Sequence, residues 1–165
     1  WHIIVDNGNK INTKGVMMNN NISDIYNLIQ ELSWYFGNQG FDGECCDDLS
    51  LVEFMAVKKI FNIEEITIQE IGDALNVTKS AASKIIDRVE SKGYVLRKKS
   101  PVDGRICCVV ITDKGVEAIK RIEEQYTDYV GKVLKDYETN TVLDIKRIME
   151  TLVTSIRKQG FIKPY

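Results

Sequence analysis

The chain has 165 residues, 44% of them hydrophobic and 28% charged, which places it with globular proteins of about one domain and a real core. A formal net charge of −2 and a sequence pI near 5.5 exclude any whole-chain attraction for a polyanion, so a nucleic-acid reading has to rest on local charge. No apolar run approaches the roughly 18 residues that a membrane span needs, and the first residues lack the basic, apolar, small-residue order of a secretory signal, so the expected location is the cytoplasm, without a membrane partner.

Residues 1–18 carry no sustained period, and the run Asp6, Asn7, Gly8, Asn9, Lys10 is turn-like; the segment is read as a disordered extension or upstream segment outside the fold. Over 21–37, Ile22, Ile25, Tyr26, Ile29, Leu32 and Phe36 recur at three- and four-residue steps, which predicts an amphipathic helix. Gly37, Gly40 and Gly43 mark a loop that ends at Ser50. There Ser50 and Glu53 have capping-box spacing, predicting a second helix over 51–61 that buries Leu51, Phe54, Met55 and Ile60.

Thr67 and Glu70 repeat the capping-box spacing and open a short helix with Ile68, Ile71, Ala74 and Leu75 inward. Asn76 and Val77 form a tight turn. Thr78 caps the next helix, whose inner face is Ala82, Ile85, Ile86 and Val89, and Gly93 supplies the left-handed residue beyond its end. Two short capped helices joined by such a turn make a helix-turn-helix.

The period then changes. Runs 94–99 and 106–112 are β-prone and are separated by a turn-rich connector, 100–105, which predicts a hairpin wing. Two further helices are predicted, over 113–137 and 141–158, each with an apolar stripe that a chain this small can best cover with a second copy. The predicted fold is therefore mainly α with a small β-hairpin wing: a winged helix-turn-helix whose N- and C-terminal helices form a dimerisation region. Its parts are 19–62 (N-terminal helices), 63–112 (the winged lobe) and 113–165 (the long C-terminal helices).

Between 79 and 105 the basic residues Lys79, Lys84, Arg88, Lys92, Arg97, Lys98, Lys99 and Arg105 face only Asp87, Glu90 and Asp103, a local surplus of five positive charges in an acidic chain. Lys79, Ser80, Ser83 and Lys84 sit on the outer face of the second helix of the motif near its N-terminus, the end that enters the major groove, and are candidate base readers. Arg97, Lys98, Lys99 and Arg105 on the wing suit phosphates or a narrow minor groove, with Asp103 orienting Arg105. An exposed cluster of this kind is by itself often only a solvated face; the capped two-helix unit and wing beside it carry the DNA reading.

The residues of 67–75 (T-I-Q-E-I-G-D-A-L), 80–95 (S-A-A-S-K-I-I-D-R-V-E-S-K-G-Y-V), the D-G-R at 103–105 and the I-T-D-K-G at 111–115 together resemble the MarR family pattern over about 21–161. The resemblance implies a homodimeric transcriptional regulator, a repressor, that binds a palindromic operator in double-stranded DNA and is released by a small ligand or a thiol or metal signal. It also implies that Asp103 and Arg105 are the wing signature. Gly72 departs from the usual small apolar residue and is expected to loosen its helix.

Four cysteines occur as adjacent pairs, Cys45-Cys46 and Cys107-Cys108, unlike a disulfide framework, and are read as reduced thiols. Cys45 and Cys46 are candidate oxidant or soft-metal sensors, although Glu44, Asp47 and Asp48 beside them would raise their thiol pKa. Cys107 and Cys108, vicinal on a strand, should point to opposite faces. Tyr26, Trp34, Phe36 and Met55 are candidate lining for a small effector, although such residues are more often core than pocket. No nucleophile elbow, phosphate loop or metal-ligand cluster is found, so no enzyme, cofactor or metal is expected. The rival reading is a winged helix used for protein contacts without DNA.

Overall fold

The computed structural model describes residues 13–38, 48–99 and 107–160, with side chains described from 20 to 36 in the first of these. The elements are α1 (Thr13–Asn38), α2 (Leu51–Phe61), β1 (Ile66–Thr67), α3 (Ile68–Leu75), α4 (Lys79–Ser91), β2 (Val95–Lys99), β3 (Cys107–Ile111), α5 (Asp113–Leu134) and α6 (Thr139–Gln159). None of the described helices is long and apolar enough to cross a membrane.

α1 forms a unit of its own, separate from the unit that begins at residue 40. It starts at Thr13, eight residues before the apolar period begins, so 13–18 are helical rather than part of an irregular extension. The period marks only where a buried stripe is needed; a helix continues past it wherever no Pro or competing cap stops it. Within its unit α1 leaves Ile22, Ile25, Tyr26, Leu28 and Leu32 exposed.

In the second unit the caps are as the sequence predicts. The Ser50 hydroxyl accepts from the Glu53 N–H while the Ser50 N–H donates to Glu53 at 2.9 Å. Thr67 and Glu70 repeat the exchange, and the Thr78 hydroxyl accepts from the Ala81 N–H at 3.2 Å. Each satisfies helix-end donors that would otherwise lack a partner. Asn76 ends α3 in the left-handed region at φ 53° and Gly93 follows α4 at φ 81°.

The sheet has the order β1-β3-β2, all antiparallel. β1 is not foreseen by the sequence, because two residues carry no alternation; its pairing of Ile66 with Val109 exists only through β3. The core joins α2, α3, α4, α5 and the sheet through Val57, Ile60, Ile66, Ile71, Ile86, Val89, Val95, Val109, Ile119 and Ile122, all fully buried.

Two predicted core residues of α2 are not buried. Leu51 and Met55 are about half exposed, and Ala56 and Val57 take the inner face beside Phe54 and Ile60. Ala74 of α3 is likewise exposed, and the position buried beside Ile71 is Gly72. Gly72 has a packing purpose in α3. A Cβ there would lie 3.1 Å from the Val77 carbonyl oxygen and 3.5 Å from Ala82, so the absence of a side chain lets the turn and α4 close onto α3.

The start of α5 is built around a closer approach. The Thr112 hydroxyl accepts from the Gly115 N–H at 3.1 Å and donates to the carbonyls of Gly93 and Tyr94, while a Cβ on Gly115 would meet the Tyr94 oxygen at 2.2 Å and Ile111 at 2.6 Å. α5 is thereby pinned to the strand that leaves α4. Gly115→Ala is expected to lower the stability of the lobe by about 1–3 kcal/mol, read as a drop in thermal midpoint, whereas alanine at the open Gly131 leaves it unchanged or raises it.

Candidate nucleic-acid interface

α4 shows two faces. Ala82, Ile85, Ile86 and Val89 are buried, as their spacing requires, and the opposite side carries Lys79, Ser80 and Lys84 in the open with Ser83 half-buried. Thr78 caps the same end, so the first two turns of α4 present short hydroxyls, two lysines and the positive end of the helix dipole together.

The basic residues divide into two groups that the sequence does not separate. Lys79, Lys84, Lys98 and Lys99 are exposed and make no ion pair among the described residues. Arg88, Lys92 and Arg97 are engaged with carboxylates of the same lobe.

Glu53 is the centre of one engagement. Although charged it is buried, at 4% exposure, on the first turn of α2. Its oxygens receive Arg88 Nε at 2.6 Å, Lys92 Nζ at 3.0 Å and the Ser50 N–H. Lys92 Nζ also donates to the Asp48 carbonyl, and the buried Tyr94 hydroxyl donates to the Asp48 carboxylate at 2.7 Å. Lys114 Nζ completes the cluster, 2.6 Å from the Lys92 carbonyl and over the Tyr94 ring. The C-terminal half of α4 is thus bound to the start of α2.

Burial by itself would raise the Glu53 pKa, but the Ser50 N–H and then Arg88 and Lys92 outweigh it and bring it down from 4.5 to about 2. A carboxylate held below its unfolded value contributes stability that is present above pH 4.5 and is lost as the pH falls towards 2. The contribution is on the order of 3 kcal/mol. Acid titration of the thermal midpoint should show this fall between pH 4.5 and 2 in the wild type and a shallower one in Glu53→Gln; parallel curves would contradict the assignment.

The second engagement is at the wing. Arg97 of β2 donates its backbone N–H to Glu90 at 2.9 Å, one guanidinium nitrogen to Glu90 and the other to Asp87 at 2.6 Å. Partial burial works against the charged guanidinium, and the two carboxylates more than offset it, so its pKa is raised.

Of the other residues singled out by sequence, Lys98 and Lys99 lie on β2 opposite Cys108 and Cys107, and Cys108 is buried while Cys107 is exposed, as strand alternation predicts. Asp103 and Arg105 of the wing connector and the Cys45-Cys46 pair lie outside the described residues. Tyr26, Trp34 and Phe36 lie on α1 and Met55 on α2, all exposed within their own units. A cleft of about 290 Å³ that the sequence does not reveal lies between the end of α2 and β3, lined by Ile60, Phe61, Ile63 and Val110 among others. No group of three or more His, Cys, Asp or Glu side chains able to hold a metal occurs among the described residues.

Residues 49–107 match the family model described as the MarR family. An uncharacterized HTH-type transcriptional regulator of Bacillus subtilis (strain 168), YdgJ, is 24% identical over 120 residues, covering 71% of this chain and 73% of the relative. A putative transcriptional regulatory protein for the hcr operon from Thauera aromatica is 34% identical over 76 residues, covering 44% of this chain and 45% of the relative. Among solved structures, a MarR family protein from Bacillus stearothermophilus superposes with a TM-score of 0.74 at 15% identity, covering 84% of this chain and 97% of that one. Streptococcus pneumoniae FabT in complex with DNA does so with a TM-score of 0.67 at 18% identity, covering 87% of this chain and 98% of that one. These structural likenesses establish the winged helix-turn-helix fold.

Proposed function

We propose that the chain, whose residues 49–107 match the MarR family model, is a transcriptional regulator that binds double-stranded DNA sequence-specifically as a homodimer. The observation that carries the reading is that Lys79 and Lys84 on the first two turns of α4 and Lys98 and Lys99 on β2 are exposed without an ion pair among the described residues, whereas Arg88, Lys92 and Arg97 of the same lobe are paired with carboxylates. A solvated face with no task would not need its cations sorted in this way. The names of the relatives, transcriptional regulators, and the DNA in the FabT structure point in the same direction.

In this reading α4 enters the major groove, with Lys79, Ser80, Ser83 and Lys84 at the base edges and flanking phosphates. Lys98 and Lys99, with Asp103 and Arg105 of the connector, serve the adjacent backbone and minor groove. Every cation that contacts a phosphate releases about one counterion. Binding should therefore weaken steeply with added salt, and Lys84→Ala should lower the slope of log affinity against log salt by about one. A wild-type protein that binds no duplex, with Lys79 and Lys84 dispensable for its activity in cells, would instead favour a winged helix that contacts proteins.

The homodimer is supported by the helices outside the lobe. α6 buries none of its residues and leaves Ile148, Met149, Leu152, Val153 and Ile156 exposed, a stripe at three- and four-residue steps that water does not suit. Covered by a second copy, it would set two α4 helices about one turn of DNA apart, roughly 34 Å, and a two-fold axis would match a palindromic operator. Sedimentation equilibrium should give a dimer for the wild type, and Ile148→Glu with Leu152→Glu should give a monomer whose lobe keeps its fold but loses most operator affinity. The proposed role is that of a cytoplasmic repressor released by a small ligand or by thiol or metal chemistry, with Cys45, Cys46, Tyr26, Trp34, Phe36 and Met55 as the candidate sensing residues.

A further inference from the structure

Arg97 looks from the sequence like one of three consecutive wing cations aimed at DNA, and its surroundings assign it a different task. β2 is the outer strand of the sheet, paired only with β3, so the N–H groups on its free edge need other acceptors. The Arg97 N–H finds one in Glu90, and the same carboxylate takes one end of the Arg97 guanidinium while Asp87 takes the other at 2.6 Å. Asp87 and Glu90 are three residues apart on α4 and so share a face. Without a cation between them they would repel.

The electrostatics argue against a phosphate contact. Two carboxylates around one guanidinium leave the cluster with a net charge of −1, so a phosphate approaching Arg97 meets repulsion. Its side chain is one-quarter exposed, whereas the neighbouring Lys98 and Lys99 stand free. A planar fork that satisfies two acceptors at once also fixes direction, which a lysine ammonium does not.

We propose that Arg97 is a positioning residue: clamped between Asp87 and Glu90, it sets the angle at which the wing leaves the recognition helix, and Lys98 and Lys99 make the contacts. The proposal deepens the DNA-binding reading and rests on it for its consequence, while the clamp itself can be tested without DNA. The geometry also states which change is conservative. Lysine keeps the charge and loses the fork.

The test uses the full chain with a duplex recovered by selection from a random library. Arg97→Ala and Arg97→Lys should both weaken binding by about tenfold while leaving the salt slope at its wild-type value. Lys98→Ala should lower that slope by about one. Hydrogen exchange of the 97–99 and 107–109 amides in the free protein should speed up in both Arg97 variants and also in Asp87→Asn, in which the arginine is untouched. A slope lowered by about one in Arg97→Ala, with Arg97→Lys binding like wild type and amide protection unchanged, would overturn the proposal in favour of a phosphate contact. If the wild type binds no duplex, the DNA reading fails and the exchange measurement decides the clamp: faster exchange in the variants upholds it, unchanged exchange removes it.

Discussion

The lobe depends on a single requirement, that α4 be held by one face so that the other stays free. Ala82, Ile85, Ile86 and Val89 lie at helical spacing against α2, α3 and the sheet, and they are buried almost completely. Truncating one of the two isoleucines to alanine would cost about 2–5 kcal/mol, a large share of what a domain of this size has in reserve. Everything else that positions the outer face is attached to this stripe. The closed turn at Gly72 brings α3 up to it, Glu53 holds its far end to α2, and Asp87 and Glu90 attach the wing.

Charge in this lobe has two separate uses. Arg88, Lys92 and Arg97 hold elements together, each paired with a carboxylate at least seven residues away in sequence. Lys79, Lys84, Lys98 and Lys99 face water. The distinction matters because a buried or half-buried pair is strong when both partners are present and leaves a costly unpaired charge when one is removed, whereas an exposed lysine is close to neutral for stability. The same residue type therefore supports the fold at one position and at another is left free for the proposed recognition.

The apolar surface follows a similar division. The core closes with α2 to α5, and α6 contributes no buried side chain to it. An amphipathic helix of 21 residues that buries none of its side chains among the described residues leaves an apolar stripe to be covered, and the proposed second copy would cover it.

Much of this was legible in the sequence wherever the determining contacts are local. Capping boxes at Ser50 and Thr67, the cap at Thr78, the tight turn at Asn76, the left-handed Gly93 and the change of period at Tyr94 all act within about four residues, so spacing alone determined the helices of the motif, its turn and the wing strands. The alternation of Cys107 and Cys108 was legible for the same reason. What only the tertiary structure decided are pairings across the chain. The two-residue β1 exists because Val109 and Cys108 of β3 receive it, Ala56 and Val57 are buried on α2 where Leu51 and Met55 are not, and Gly72 leaves the Val77 carbonyl room to lie against α3. Above all, a count of basic residues cannot say which are free: Arg88 and Lys92 meet Glu53 across 35 and 39 residues, and only the folded chain brings them within hydrogen-bond distance.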